Sequence, residues 1–194
     1  MDISTEMVIN ILPLFLANVL GVRTSAIGLI EGVAEATASL LKAFSGWISD
    51  RLGKRKWLAV GGYAISALAK PIFYFANSWG IVAGARWGDR VGKGVRTAPR
   101  DALVADSIDE QNRGLAFGFQ RTFDTAGAMV VLLIALLIVW YAQSNTLLLQ
   151  RATFQTIVLL SIIPAALAVI TLAVGARNVP AMKLWSGTWA DSRA

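Results

Sequence analysis

Between Arg86 and Asp106 the chain carries eight charged side chains: Arg86, Asp89, Arg90, Lys93, Arg96, Arg100, Asp101 and Asp106. Three glycines, Gly88, Gly92 and Gly94, stand among them. Cations beside glycines suggest a phosphate cradle, and spacing tests the idea. A nucleotide-type phosphate loop needs G-x-x-x-x-G-K-[ST]. Gly88 and Gly92-Lys93 stand one residue too close, and Gly94 replaces the hydroxyl residue. The dinucleotide pattern G-x-G-x-x-G fails as well, because Thr97 holds its last position. Neither pattern follows a strand signal.

Other chemistries are excluded by residue type. The chain has no cysteine and no histidine. Disulfides, thiol nucleophiles, thiolate or imidazole metal ligation and a histidine proton switch are therefore absent. No nucleophile–base pair or metal-ligand spacing occurs, so neither an enzyme, nor a metal site, nor a cofactor is expected. The carboxylates remain as proton carriers. Their affinity for a proton rises with burial and falls beside a cation, so substrate arrival can switch it.

The elements that hold these residues are apolar. Of 194 residues, 56% are hydrophobic and only 15% charged, against roughly 25% charged in soluble domains. Mean hydropathy is +0.59. These values define an all-α, polytopic membrane protein. Six spans are expected at about 3–20, 25–49, 57–76, 79–107, 114–141 and 154–175. They form one domain over residues 1–175, and the polar residues 176–194 form a tail. The first span contains Pro13, is short and begins almost at Met1, so an upstream start of the protein is an open expectation. Four of the five prolines (Pro13, Pro71, Pro99 and Pro164) fall in or at the ends of spans, where neighbouring helices satisfy the freed carbonyls.

Charge also sets orientation. The net charge of +6 reflects basic cytoplasmic loops rather than a nucleic-acid partner. Arg51, Lys54, Arg55 and Lys56 crowd one connection, Arg113 precedes the fifth span, and Arg177, Lys183 and Arg193 lie in the tail. The positive-inside rule places both termini in the cytoplasm of a bacterial-type inner membrane. Tyr74, Trp79, Trp140 and Tyr141 then mark the outer interface, Trp47 and Trp57 the inner one.

Ionisable residues within the spans are Glu6, Glu31, Glu35, Asp89 and Asp124, with Lys42, Lys70, Arg86, Arg90, Lys93, Arg96 and Arg121. Each costs about 2.5–3.5 kcal/mol at a helix centre, so they must face the bundle interior or water. Helical spacing agrees. Arg86, Arg90, Lys93, Thr97 and Arg100 make one stripe; Glu31, Glu35 and Lys42 make another; Arg121 and Asp124 are one turn apart. A pair between Arg86 or Arg90 and Glu35 or Asp124 is expected near the midplane. The candidate substrate or proton pathway is thus Glu6, Glu31, Glu35, Arg86, Asp89, Arg90, Arg121 and Asp124. The excess of bases favours an anionic substrate. Gly84, Gly88 and Gly92, with Gly114 and Gly118, are the candidate helix-packing positions.

One loop carries a resemblance. Residues Gly46-Trp47-Ile48-Ser49-Asp50-Arg51-Leu52-Gly53-Lys54-Arg55-Lys56 fit G-x-x-x-D-R-x-G-[RK]-[RK] between the second and third spans. This resembles the corresponding cytoplasmic loop of the major facilitator superfamily of transporters. Arg86 with the glycines after it, Pro99, and Arg113-Gly114 are also similar to that family. The charge-rich 89–101 run resembles bacterial efflux-type members. The Gly-Pro pair usual in the fifth helix of antiporters is absent, since 124–131 reads Asp-Thr-Ala-Gly-Ala-Met-Val-Val. The resemblance implies the N-terminal six-helix half of a twelve-helix fold. It implies that Gly46, Asp50, Arg51, Gly53, Lys54 and Arg55 form a conformational latch. The implied function is alternating-access transport of a small solute, coupled to protons and directed outward. The alternatives are a truncated half-transporter without activity of its own, or a half-unit that works as a homodimer. Expected partners are membrane lipid, protons, the solute, and a missing C-terminal half or second copy.

Overall fold

The computed structural model describes residues 1–53, 55–142 and 149–176. Lys54, the tail residues 177–194 with their three basic residues, and the side chain of Tyr141 lie outside the described residues. Among the described residues every regular element is helical.

The first span is two helices, α1 (Asp2–Ile9) and α2 (Leu12–Asn18), where one continuous segment was expected. Pro13 has no N–H to offer the carbonyl of Ile9, so the ladder breaks just before it. At the break, Asn10 gives the Glu6 carbonyl both its backbone N–H at 3.4 Å and its Nδ2 at 2.8 Å. The next helix, α3 (Thr24–Leu52), ends at Gly53. Gly53 adopts φ 62°, a left-handed conformation that glycine takes without cost. It is followed by α4 (Arg55–Tyr74), α5 (Trp79–Asp106), a single 3-10 turn (Glu110–Asn112), α6 (Arg113–Ala142) and α7 (Arg151–Gly175). The sixth segment starts three residues earlier than expected. At 1.5 Å per residue α5 is about 42 Å long, more than the hydrocarbon thickness of about 30 Å.

Among the described residues two helical stretches, Glu110–Trp140 and α7, are long and apolar enough by themselves to cross a membrane. The other expected spans fall short for physical reasons. α1 and α2 are too short singly, α3 carries Glu31, Glu35 and Lys42, and Lys70 and Ser66 interrupt α4. In α5 the charged stripe cancels the apolar residues. The exterior is nonetheless apolar: Leu29, Leu40, Phe44, Leu68, Phe75, Phe123 and Trp140 are all exposed. So are Trp47, Trp57 and Trp79.

α5 lies between α3 and α4, while α7 packs on α4 and α1, and α1 also touches α6. Glycines decide how closely α5 is held. A Cβ on Gly92 would meet the Ser66 hydroxyl, the Gly62 carbonyl at 2.6 Å and the Ser66 amide at 2.7 Å. A Cβ on Gly94 would meet the Ala38 carbonyl and Leu41 Cβ, both at 2.7 Å. Gly92 therefore serves α4 and Gly94 serves α3. The expected four-residue glycine stripe is only partly a packing face. Gly88 makes an ordinary contact with Ala69 at 3.9 Å, and Gly84, Gly114 and Gly118 have no neighbour within 4 Å among the described residues. Eight residues rotate a helix face by about 80°, so Gly84 points away from the α4 seam that Gly92 enters.

Apolar packing concentrates at one end of the bundle. Leu12, Phe15, Leu16, Phe73, Val82, Phe154 and Ile157 are buried together, and Phe15 stacks on Phe154 at 3.9 Å. The opposite end holds the charges.

Candidate functional site: a buried charge ladder and an open polar cavity

Close approach lets side chains bond across helices. The Ser45 hydroxyl donates to the Gly94 carbonyl at 3.0 Å, and the Ser66 hydroxyl to the Asp89 carbonyl at 3.0 Å. α3 and α5 run parallel, so their charges meet rung by rung. Arg86 Nε donates to both carboxylate oxygens of Glu31, at 2.9 and 3.0 Å, and a terminal nitrogen of the same guanidinium also bonds Glu31. One turn on, an Arg90 terminal nitrogen lies 2.9 Å from a Glu35 oxygen. Both arginines are buried, whereas Glu35 is more than half exposed.

Asp89 is buried between two cations. Lys70 Nζ stands 3.3 Å away, and the other Arg86 nitrogen 3.7 Å. That Arg86 nitrogen has no hydrogen-bond partner. The guanidinium therefore spans two carboxylates and is fully bonded to only one, so a modest rotation transfers it toward Asp89. Lys70 Nζ also reaches the Thr5 hydroxyl on α1 at 3.3 Å.

Lower on α5, Arg96 donates to the Ser66 hydroxyl at 2.6 Å and to Asp2 at 3.2 Å, and it lies 5.0 Å over the Tyr63 ring. Arg100 reaches the other Asp2 oxygen at 3.3 Å and Asp101 at 3.2 Å. Asp2 thereby ties the start of α1 to α5.

Beyond these pairs lies an open cavity of about 550 Å³ between α1, α3, α5 and α6. Glu6, Glu35, Arg121 and Asp124 line it, together with Lys42 and Lys93. Among the described residues none of its walls is aromatic.

Of the expected pathway residues, Glu31, Glu35, Arg86, Asp89 and Arg90 come together in the ladder, while Glu6, Arg121 and Asp124 stand on the cavity wall. Among the expected pairings, Arg90 with Glu35 is present. Arg86 takes Glu31 instead of Glu35, and Asp124 pairs with neither arginine. Sequence reasoning passed over Asp2, Thr5 and Ser66 and left Lys70 and Arg96 without a role. Lys70 had a signal, being alone in an apolar span; Thr5 and Ser66 had none.

The loop residues form a separate cluster at the charged end. Arg55 bonds Asp50 at 3.1 Å, the Ala102 carbonyl at 3.2 Å, and Asp106. It thus ties α3 and α4 to the end of α5. Gly46 faces Ala98, where an added Cβ would sit at 3.4 Å. Arg51 lies over the Trp47 ring at 4.6 Å. Asp106 joins this cluster, whereas Arg100 turns inward to Asp2.

A helical bundle with an apolar exterior, a buried charge ladder and an open polar cavity defines a polytopic membrane protein built around a polar path. The chain belongs to the Major Facilitator Superfamily, whose family model matches residues 1–187. It is 37% identical over 188 residues to an uncharacterised MFS-type transporter of Methanocaldococcus jannaschii, covering 92% of this chain and 46% of that protein. It is 34% identical over 114 residues to the inner membrane transport protein YajR of Escherichia coli (58% of this chain, 24% of that protein). It is 32% identical over 114 residues to a probable 4-methylmuconolactone transporter of Cupriavidus pinatubonensis (56% and 26%). The chain spans about half the length, or less, of these relatives. Membership of this family places the protein in a membrane.

Proposed function

We propose that the chain is the N-terminal six-helix unit of a secondary transporter that moves a small anionic solute outward by alternating access, coupled to protons. The unit comprises residues 1–175, with α1 and α2 forming one span. One observation carries the proposal: the Glu31–Arg86–Asp89–Lys70 ladder runs across three helices beside an open polar cavity, with Arg86, Asp89 and Lys70 buried and Glu31 partly exposed. Charges so placed cost stability and mark paths for ions or substrates. Protonation of Glu31 would release Arg86 to Asp89, and the α3–α5 contact would change with it. The inward-facing end is the one with Arg55, which puts both termini in the cytoplasm of an inner membrane. There the cluster of Asp50, Arg55 and Asp106 would act as the latch. Export of an anion is also favoured by an inside-negative potential, by about 2.3 kcal/mol per charge per 100 mV. The name of the Cupriavidus relative supports a small organic solute.

The cavity walls come from four helices on one side only, which favours a path completed by a second six-helix half or a second copy. Liposomes that hold the purified chain and a trapped pH dye test the function. A solute gradient should move protons, and Glu31→Gln should abolish the movement while leaving the fold intact. Proton movement that survives Glu31→Gln refutes the coupling. Flux together with cross-links between copies supports the homodimer. No flux from the chain alone supports a half-unit without transport of its own.

A further inference from the structure

The cavity wall does not neutralise itself. Asp2 is engaged by Arg96 and Arg100, and Glu35 by Arg90. Glu6 accepts from Asn10 at 3.2 Å. Lys42, Lys93 and Arg121 also line the cavity. Among the described residues, none of these three makes an ion pair or a side-chain hydrogen bond. They come from three different helices, α3, α5 and α6. Among the described residues two carboxylates of the wall, Glu6 and Asp124, also make no ion pair, so the unpaired wall is net positive.

We infer that Lys42, Lys93 and Arg121 hold the carboxylate of a hydroxylated organic monoanion, a sugar-acid or hydroxy-acid type of solute. This rests on the transporter reading of the cavity and adds the substrate class. Lys42 and Arg121 are exposed on this open wall and Lys93 is half-buried, so a ligand carboxylate can reach all three and supply the missing partner. Two lysines act as mobile point charges, and the arginine fork takes a carboxylate through two parallel bonds. The rest of the wall suits hydroxyl groups. Ser39, Thr97 and Thr125 present oxygens, while Ala38 and Ala128 leave room between them. The Ser39 hydroxyl proton goes to the Glu35 carbonyl at 3.0 Å and that of Thr97 to the Lys93 carbonyl at 2.6 Å, so both oxygens face a solute as acceptors. Among the described residues no wall is aromatic, so a flat lipophilic compound finds nothing there to stack on.

The test uses the full chain in nanodiscs of zwitterionic lipid, so that no lipid anion competes. Two acetylating succinimide esters are compared that differ only in a sulfonate group. Acetylation of each lysine is read by mass spectrometry. Relative to Lys56, outside the cavity, the sulfonated ester should favour Lys42 and Lys93 by roughly threefold or more over the neutral ester, as expected of an electrostatically focused cleft. Gluconate should suppress this labelling, and glucose at the same concentration should not. Arg121→Gln should lower the preference to below about twofold. Equal preference for the two esters, no acetylation at Lys42 and Lys93 by either, or no difference between gluconate and glucose overturns the inference. The readout needs no transport. A chain that labels as expected but moves no solute in liposomes loses transport by the chain alone, as a half-unit would, and keeps the anion site. The reverse result keeps transport and discards the anion site.

Discussion

Gly92→Ala tests the central packing of α5 most directly. The added methyl would stand 2.6 Å from the Gly62 carbonyl and 2.7 Å from the Ser66 amide. Both are backbone atoms of α4, so no rotamer change relieves the clash. Ordinary carbon contacts lie near 3.5–4.0 Å, so α4 and α5 must part by about 1 Å. Overpacking of this kind costs about 1–3 kcal/mol. The separation also stretches the bond from Ser66 to the Asp89 carbonyl, now 3.0 Å. Against this, alanine gains about 0.5–1 kcal/mol of helix propensity over glycine. The net loss is about 0–2.5 kcal/mol before the hydrogen bond is counted, and about 1 kcal/mol more with it. A chain of this size shifts its Tm by about 2–4 °C per kcal/mol. The matched control is Gly84→Ala, where nothing among the described residues lies within 4 Å and only the propensity gain remains. Thermal unfolding of both purified variants at one scan rate should place Gly92→Ala several degrees below Gly84→Ala. Equal melting, or a more stable Gly92→Ala, would refute the assignment of Gly92 to the α4 seam.

Lys70→Met should destabilise the fold by about 3–5 kcal/mol, because Asp89 stays buried without its nearest cation. Adding Asp89→Leu should recover most of that loss, and a double-mutant cycle on Tm measures the recovery. Arg55→Gln should loosen the junction of α3, α4 and α5; a reporter cysteine at Ala102 should then react with maleimide several-fold faster, following the larger open population. Asp2→Asn should free the start of α1 from Arg96 and Arg100, and amide exchange over residues 3–8 should rise while that over α7 is unchanged. The acetylation of Lys42 and Lys93 tests the anion site independently of all three.

The helices were legible because hydrophobic runs report them, and the charge stripes because helical period is local. Arg86, Arg90 and Lys93 fall on one face whatever surrounds them. Pairing was less legible, because it depends on the axial register of α3 against α5, which no local pattern encodes. Glu31 and Glu35 are one turn apart, as are Arg86 and Arg90. A slip of one turn exchanges one pairing set for the other, and the structure chooses Arg86 with Glu31. The break at Asn10–Ile11 was signalled by Pro13 and needed only its consequence for the Ile9 carbonyl. Asp2 was illegible for a different reason. Its partners are more than ninety residues away, and one acid at the start of an apolar run has no periodicity.

The glycines and the ladder belong to one design constraint. Arg86, Lys70 and Asp89 are almost wholly buried, yet a buried ion pair is seldom more stable than apolar residues of the same size. The ladder therefore does not account for stability, which the apolar cluster around Phe15, Phe73 and Phe154 supplies at the other end. What the ladder adds is a set of alternative partners within a few ångströms: Glu31 and Asp89 for Arg86, Asp89 and Thr5 for Lys70. Such alternatives persist only if the helices stay close enough for each cation to reach both. Gly92 and Gly94 set that closeness on opposite sides of α5. Moving α5 against α3 or α4 by one contact distance would exchange partners along the ladder rather than strand a charge. A helix held this way can shift at low cost, as the alternating access proposed above would require.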